Sequence, residues 1–479
     1  MKLSRSTILL IAILLLGSFF RLYQIRDYLV FLGDEGRDAL VWKHILIDRQ
    51  LTLLGPTASV GGFYLGPIYY YLALPFAWAF QLDPVGPAYF VAIIGIATVY
   101  LVYRFGKDYL GSSTIGLIAA FLYSFAPLTV RYSRSSWNPN PLPFFTLLGL
   151  MSLFSGIKHK RWYLLVLSGI CLGIAWQLHY LALIISAIYL AIVIIEVKRI
   201  NLFAIPNTLL AIFLGWLIGF SPFLAFEIRH GLPNTRTVLE FITRKNGAIH
   251  PVILDVIATA LQRTLLMFRT VLSLPDTLLV KAALLLIIAL GLRYCFTTKH
   301  RLLAIWFLVG MFGFAFYQGS IADYYFGFLF PVPFLILSTV IHKLRPPLLI
   351  IILLFLSTYQ LSQAFFLKKP NRQVDQTIAI ADQVIKFSES NPFNFALITG
   401  GNSDHAYRFF LELKGHRPLG LEEKVTDQLL IVCEKPPAEC KPLGHSLWEI
   451  AGFGQSEVNA QATVNPGITI YRMTHYYGQ

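Results

Sequence analysis

Long apolar runs recur through residues 1–366, and each is close to the length of about 20 residues that a helix needs to cross a bilayer. A further apolar stretch, Gly66–Gln81, contains Pro67 and Pro75, and a span there would break the alternation of basic loops described below. We therefore predict a re-entrant or juxtamembrane segment at this position. The remaining runs predict eleven membrane-spanning helices: Thr7–Tyr23, Tyr89–Tyr103, Thr114–Val130, Pro143–Gly156, Tyr163–Leu178, Leu181–Val197, Leu202–Phe226, Leu278–Leu292, Leu302–Tyr317, Tyr325–Ile341 and Leu348–Phe366.

Basic residues between the runs predict the orientation, because Lys and Arg concentrate in cytoplasmic loops. Strict alternation from Lys158 onward puts every later cluster in the cytoplasm, so we expect a cytoplasmic N-terminus and residues 364–479 on the outer side. No small-residue cleavage site follows the first run, which predicts a retained anchor. The clusters are Lys2/Arg5, Arg104/Lys107, Lys158/Lys160/Arg161, Lys198/Arg199, Arg293/Lys299/Arg301 and Lys343/Arg345.

The segment from Trp162 to Ile195 contains no Asp, Glu, Lys or Arg. It is too long for one span, so we predict a tight hairpin of two helices. The polar pair Gln177 and His179 lies at its midpoint and marks the turn.

Residues 367–479 have the composition of a soluble domain, so we place a domain boundary between a membrane domain, 1–366, and this tail. Alternating and amphipathic patterns predict strands at Asn394–Thr399, Gln428–Cys433 and Gly467–Arg472 and a helix at Asp404–Leu413. The tail is thus predicted to be a small extracytoplasmic α/β domain. An outer location would permit a disulfide between Cys433 and Cys440.

Composition agrees with this division. Of the 479 residues 56% are hydrophobic and 13% charged, about half the charged share of a soluble domain. The net charge of +14 arises before the tail, which holds 11 basic and 12 acidic residues. The excess base therefore sets orientation and can meet anionic membrane lipid, and nucleic acid is not an expected partner.

An acidic cluster in the first outer loop is the strongest candidate for chemistry. Asp34, Glu35 and Asp38 fall within GDEGRD, residues 33–38. On a helix, Asp34 and Asp38 would share a face, with Arg37 one turn from Asp34. Crowded like charges raise at least one carboxyl pKa, which suits a proton acceptor or a cation site. A solvated helix start is the simpler alternative.

Such a cluster can also hold Mg²⁺ or Mn²⁺, and an unneutralised acid trio beside a phosphate site would need a cation. Nothing in the spacing demands a metal, so the divalent cation stays open as a cofactor.

The remaining candidates also lie on the predicted outer side. Arg131 and Arg134, in RYSRSSWNPN, suit phosphate contacts, whereas the aromatic residues between them are typical of a headgroup boundary. His179 occupies the outer turn, and Asp323 and Tyr324 begin the penultimate span from that side. Each has a plain structural alternative, since lone polar residues near a membrane often only satisfy a neighbour.

Four segments together resemble one family. They are the acidic pair after the first span, LGPIYYYL (65–72), RYSRSSWNP (131–139) and DYYFGFLFP (323–331). They resemble the bacterial lipid-dependent glycosyltransferases of the GT-C-fold, protein mannosyltransferase/aminoarabinose transferase-like superfamily, which is similar to glycosyltransferase family 39. The resemblance covers about residues 7–366 and implies an all-α polytopic membrane fold. At Gly66-Pro67 the chain departs from the more usual Pro-Pro pair.

The resemblance implies a sugar donor linked to polyprenyl phosphate and transfer to a glycan, lipid or protein acceptor at the outer face of the cytoplasmic membrane. Asp34 matches the catalytic aspartate and Glu35 its partner. In the mechanism that fits, Asp34 takes the proton of an acceptor hydroxyl, and cations hold the donor phosphate. The substrate-binding candidates are Arg37, Asp38, Arg131, Arg134, His179, Asp323 and Tyr324.

Two other functions stay open on the sequence. A transporter or lipid-handling protein would carry polar or broken helices near the midplane, often in repeats, whereas the ionisable groups here cluster in outer loops. A non-catalytic scaffold presenting the tail would leave the acidic cluster without purpose.

Overall fold

The computed structural model describes residues 4–58, 61–197, 205–243, 253–298, 300–317, 319–465 and 467–476. The orientation assigned to Lys2, Lys198, Arg199 and Lys299 lies outside these residues. The chain divides into two compact units by its contacts. We call Met1–Ile25, Thr52–Pro75 and Pro87–Lys369 the membrane unit, and Arg26–Leu51, Phe76–Gly86 and Pro370–Gln479 the tail unit. Each is described by itself.

The described chain is mostly helical. Three 3-10 helices lie at Tyr180–Ala182, Asp323–Leu329 and Phe365–Leu367. The α-helices are α1 (Arg5–Leu22), α2 (Gly33–Leu46), α3 (Ile68–Ala79), α4 (Val85–Tyr109), α5 (Ser113–Phe125), α6 (Pro127–Tyr132), α7 (Leu142–His159), α8 (Trp162–Leu178), α9 (Leu183–Val197), α10 (Ile205–Arg229), α11 (Pro233–Thr243), α12 (Ile253–Val271), α13 (Leu278–Thr297), α14 (Arg301–Ala315), α15 (Pro331–Ile341), α16 (Pro346–Leu361), α17 (Gln373–Ser388), α18 (His405–Leu413) and α19 (Trp448–Ala451).

Each of the eleven predicted runs coincides with an apolar helix or helix pair. Five helices, α1, α4, α7, α10 and α13, are long and apolar enough to cross a membrane. The 3-10 helix Asp323–Leu329 and α15 form a pair bent by 60°, which adds a sixth if it counts as one span. The others are shorter apolar helices: α5, α8, α9, α14 and α16. Helix α3 has 12 residues, about 18 Å at 1.5 Å per residue, and is too short to span.

Helices α8 and α10 pack through glycines that let their backbones touch. A Cβ atom on Gly169 would lie 2.0 Å from the carbonyl oxygen of Ile212, and one on Gly215 would lie 2.0 Å from that of Val166. One turn further along, a Cβ on Gly173 would lie 2.7 Å from the carbonyl oxygen of Trp216, and one on Gly219 would lie 2.3 Å from that of Ile170. This is the small-xxx-small pattern by which membrane helices pack, because lipid supplies no hydrophobic force between helices.

The predicted hairpin is confirmed. Helix α8 ends at Leu178, His179 is extended, and α9 begins at Leu183 after one 3-10 turn.

Gln177 Nε2 donates to the carbonyl oxygen of Gly219 at 2.6 Å. A Cβ on Gly66 would lie 2.3 Å from the Gln177 side chain. Any larger residue, proline included, would collide there, which explains the glycine of Gly66-Pro67.

The tail unit contains a four-stranded mixed sheet of β1 (Asn394–Ile398), β2 (Gln428–Cys433), β3 (Ser456–Asn465) and β4 (Ile468–His475). The strand order is β1-β2-β4-β3, with β1 parallel to β2 and the other pairs antiparallel. The predicted α/β character, three strands and helix are confirmed, and Cys433 and Cys440, whose pairing the sequence left open, form a disulfide. Strand β3 and helix α17 were not predicted.

We expect alanine at Gly169 or Gly215 to destabilise the membrane unit, because the new methyl group must push two backbones apart. Overpacking of this kind costs about 1–3 kcal/mol of unfolding free energy. Thermal unfolding in detergent micelles measures the loss. Leu214→Ala is the control, since this α10 side chain is 48% exposed. Equal melting temperatures for Gly215→Ala and Leu214→Ala would contradict the proposed close packing.

Candidate functional site

The acidic cluster lies in the first turns of α2, in the tail unit. The helix begins at Gly33 after the extended residue Leu32, whose backbone N–H donates to Glu35 Oε2 at 3.1 Å. Asp34 and Glu35 thus lie in the first turn, where unpaired backbone N–H groups and the helix dipole favour negative charge. This local preference explains why these residues start a helix here.

Arg37 lies between the two aspartates. Its NH1 donates to Asp34 Oδ1 and its NH2 to Asp38 Oδ1, each at 2.8 Å. The side chain of Asp34 is 55% exposed, whereas that of Asp38 is fully buried. Arg37 therefore pairs with two members of the predicted trio and offsets one of their negative charges, and Asp34 is the carboxylate that a substrate can reach.

Glu35 is the carboxyl with a shifted titration. Burial is the largest cause and raises its pKa to about 7, with smaller upward contributions from Asp34 and Asp38; backbone N–H groups, that of Leu32 among them, act in the opposite direction. The predicted effect of crowded like charge is present, but removal from water dominates. A carboxyl with a pKa near neutrality can exchange a proton at working pH.

No three His, Cys, Asp or Glu side chains lie close enough to hold a metal ion in the part of the chain that the structure describes. At α2 the position facing both aspartates is taken by Arg37.

A second set of candidates meets in the membrane unit, around Asp323. Tyr132 Oη donates to Asp323 Oδ1 at 2.5 Å, and Arg131 NH1 lies 3.8 Å from Asp323 Oδ2. The backbone N–H of Tyr324 also donates to Asp323, at 2.9 Å. The outer arginine loop and the DYY segment, almost two hundred residues apart in sequence, therefore share one carboxylate.

His179 joins this set through aromatic contacts. Its ring centroid is 5.6 Å from that of Tyr324 and 5.1 Å from that of Tyr325, and it stacks on Tyr180 at 4.6 Å. His179 Nδ1 accepts from the backbone N–H of Leu181 at 3.2 Å, so in neutral imidazole the proton is on Nε2. The structure therefore brings His179 and the DYY segment together, whereas their roles stay predictions.

The two arginines of the loop have different surroundings. Arg131 is 70% exposed at its side chain. Arg134 is buried, and its guanidinium donates at 2.8 Å to the carbonyl oxygens of Phe20 and Tyr23 at the end of α1. Arg134 also lies over the Phe365 ring at 3.8 Å. It therefore satisfies the last carbonyls of a helix, and Arg131 is the better candidate for a phosphate ligand.

Sequence reasoning did not select Tyr132 or Trp137 as site residues, because both match a membrane-interface belt. In the structure Trp137 packs edge-on against Tyr324, with centroids 4.5 Å apart, and Tyr132 lines a cavity with Ser133 and Tyr324. The unusual density of tyrosines near Asp323 was the available signal.

We expect Arg134→Ala to lower the unfolding free energy by about 1.5–3 kcal/mol, the range for hydrogen bonds made by a charged group. Arg131→Ala should change it by less than about 0.5 kcal/mol, because the side chain is exposed. Thermal unfolding in micelles compares the two. A larger loss for Arg131→Ala would contradict the capping role of Arg134.

The raised pKa of Glu35 predicts a pH-dependent stability. A carboxyl with a pKa of about 7 in the folded protein and an ordinary pKa of 4.5 in the unfolded chain stabilises the fold fully below pH 4.5. This contribution is lost as the pH rises from 4.5 to about 7. Unfolding of wild type and Glu35→Gln across this range measures it. The variant should have the flatter curve; parallel curves would show that Glu35 is not desolvated.

Comparison with known proteins gives a family match and a fold. Residues 67–226, a third of the chain, match the dolichyl-phosphate-mannose-protein mannosyltransferase family. No curated protein sequence matches the chain.

Two solved enzymes share the fold at low sequence identity. ArnT from Cupriavidus metallidurans, bound to undecaprenyl phosphate, is 12% identical with a TM-score of 0.58, and the alignment covers 97% of both chains. The apo form of the same enzyme is 11% identical with a TM-score of 0.59, and the alignment again covers 97% of both chains. The oligosaccharyltransferase of Archaeoglobus fulgidus in the apo form is 14% identical with a TM-score of 0.51, and the alignment covers 88% of this chain and 65% of that one.

The family match and the two structures agree with the resemblance carried by the sequence motifs. The chain therefore has the fold of ArnT and of the archaeal oligosaccharyltransferase, as the predicted GT-C fold implies, and its residues 67–226 match the mannosyltransferase family.

Proposed function

We propose that this chain is a membrane glycosyltransferase that moves a hexosyl or pentosyl group from a polyprenyl-phosphate donor to a glycan, lipid or protein acceptor of the cell envelope. The observation that carries the proposal is the mannosyltransferase family match over residues 67–226 within a GT-C fold. The ArnT structure contains undecaprenyl phosphate, and the AglB oligosaccharyltransferase of Archaeoglobus fulgidus was solved with an inhibitory peptide and a dolichol-phosphate. Both ligands support a polyprenyl-phosphate substrate.

Asp34 is the proposed general base. The acceptor oxygen forms a bond to the anomeric carbon, the bond from that carbon to the phosphate oxygen breaks, and the acceptor proton passes to the Asp34 carboxylate. The exposed side chain of Asp34 makes this transfer accessible, and its bond to Arg37 fixes its orientation. Glu35, with a pKa of about 7, is the proposed proton partner. Asp38, buried against Arg37, orients that arginine.

The membrane unit supplies the proposed donor site. Arg131 is exposed and cationic, and positive charge there would stabilise the departing lipid phosphate. Asp323, Tyr324 and His179 would bind the sugar, since a carboxylate and an imidazole N–H offer the hydrogen bonds that hydroxyl groups need. Arg134 would act indirectly, by fixing the end of α1 beside the arginine loop.

The alternation of basic loops supports a site on the outer face of the cytoplasmic membrane, with the N-terminus inside and the tail unit outside. The apolar donor would reach Arg131 sideways from the bilayer. The bilayer therefore both surrounds the membrane unit and supplies the lipid-linked donor.

The test is transfer from a panel of labelled polyprenyl-phosphate sugars by the purified protein in nanodiscs. We expect Asp34→Asn to lower turnover by about 10²–10⁴, the usual contribution of a general base, with donor binding retained. The control is Asp382→Asn, because Asp382 pairs with Lys414 on the surface of the tail unit.

Equal turnover for Asp34→Asn and wild type would exclude Asp34 as the base. It would favour an acceptor that is itself a phosphate and needs no deprotonation. Absence of both donor binding and turnover with the whole panel would contradict the transferase and favour a transporter or lipid-handling protein.

A further inference from the structure

Helix α2, which carries the acidic pair, contacts the short segment Asn402–Ala406 of the same unit at its start. Asn402 Oδ1 accepts the backbone N–H of Gly33 at 2.8 Å. This N–H is one of the four at a helix start that lack an intrahelical acceptor. A polar residue before a helix usually accepts the N–H of the second or third helical residue, and Leu32 at that position offers no acceptor side chain. Here a side chain 369 positions away accepts the first N–H.

Two glycines bring the backbone of α2 directly onto this segment. A Cβ on Gly33 would lie 2.0 Å from Ser403 Oγ, and one on Gly36 would lie 2.2 Å from the backbone nitrogen of Ala406. Gly33 and Gly36 are three positions apart, on one face of the helix. They flank Asp34 and Glu35 in sequence, so the acids are carried by the turn of α2 that touches the tail segment.

Further contacts fix the helix along its length. Lys43 Nζ donates to Glu412 Oε2 at 3.2 Å, near the other end of α18. The Phe31 ring, just before α2, packs against those of Phe409 and Phe410 with centroids 6.0 and 5.5 Å apart. Helix α2 therefore runs parallel to α18 and is held at both ends, so it cannot rotate about its axis without breaking a hydrogen bond.

We infer that Asn402 is a positioning residue for the transfer reaction, and that the tail segment Asn402–Ala406 sets the orientation in which α2 presents Asp34 and Glu35. This inference rests on the proposed function. It assigns the tail a direct role at the acidic site, whereas a domain that only stabilises the chain or recognises an acceptor would not need these contacts.

A general base must hold its orientation to the reacting oxygen closely, and a displacement of about 1 Å costs up to about 10² in rate. We therefore expect Asn402→Ala to lower kcat about 10- to 100-fold with KM for the donor unchanged. Asn459→Ala is the matched control, because this tail asparagine bonds Arg472 instead of α2.

Asn402→Asp separates positioning from mere folding. Aspartate keeps the acceptor oxygen, so kcat at the optimum pH should be restored to within about threefold of wild type. The new carboxylate adds negative charge beside the acidic pair and should move the acid limb of the pH–rate profile to higher pH. The charged groups beside this segment are Asp34 and Arg37 on α2 and Asp404 and Arg408 on the tail, all of which act electrostatically on His405.

Unchanged kcat in Asn402→Ala would overturn the inference. So would an Asn402→Asp variant as slow as Asn402→Ala, with the wild-type pH profile, because the hydrogen bond would then not determine the rate.

Hydrogen–deuterium exchange of the full chain keeps this test independent of the proposed function. Loss of the Asn402 contact should raise exchange of the amides in the first turns of α2, and Asn459→Ala should leave it unchanged. If wild type transferred no sugar, the transferase would fail, while faster exchange in Asn402→Ala would still support positioning by the tail. Unchanged exchange would overturn it.

Discussion

Close approach of two backbones is the constraint on which both units depend. In the membrane unit, α8 and α10 touch where Gly169 and Gly215 leave no side chain between them. Lipid tails are as apolar as leucine, so burying apolar side chains between helices stabilises the membrane unit little. Close van der Waals contact between the helices must supply the stabilisation instead. The tail unit has the same kind of contact, since the backbone at Gly36 packs directly against the backbone of Ala406.

Once the helix backbones are packed, each buried polar side chain can reach only a few hydrogen-bond partners. Arg134 fills the end of α1, and Tyr132 and the backbone of Tyr324 both donate to Asp323. Such groups are costly to bury without partners, so each bond also holds the segment that carries it. The exposed groups, Asp34 and Arg131, are the ones left available for a substrate.

Sequence patterns predicted where the helices and strands lie better than they predicted which residues and strands contact each other. Apolar runs and an uncharged hairpin located the helices, because burial in lipid requires long apolar segments whatever the tertiary arrangement. Strand β3 was missed because SEVNAQATVN carries few large apolar residues, and its pairing with β4 supplies the order. Helix α17 was predictable from the sequence, since its buried residues Val374, Thr377, Ala381, Val384 and Ser388 recur every three or four positions.

By itself the sequence determined the membrane class, the tail domain, the acidic cluster and the family resemblance, since each depends on local composition or a short motif. Only the tertiary structure decided that Arg134 is buried while Arg131 stays exposed, and that Asn402 accepts the first N–H of a helix 369 positions away in sequence. Hydrogen bonds and ion pairs act over about 3 Å. Which groups come within that distance depends on how the whole backbone packs, and no local pattern records it.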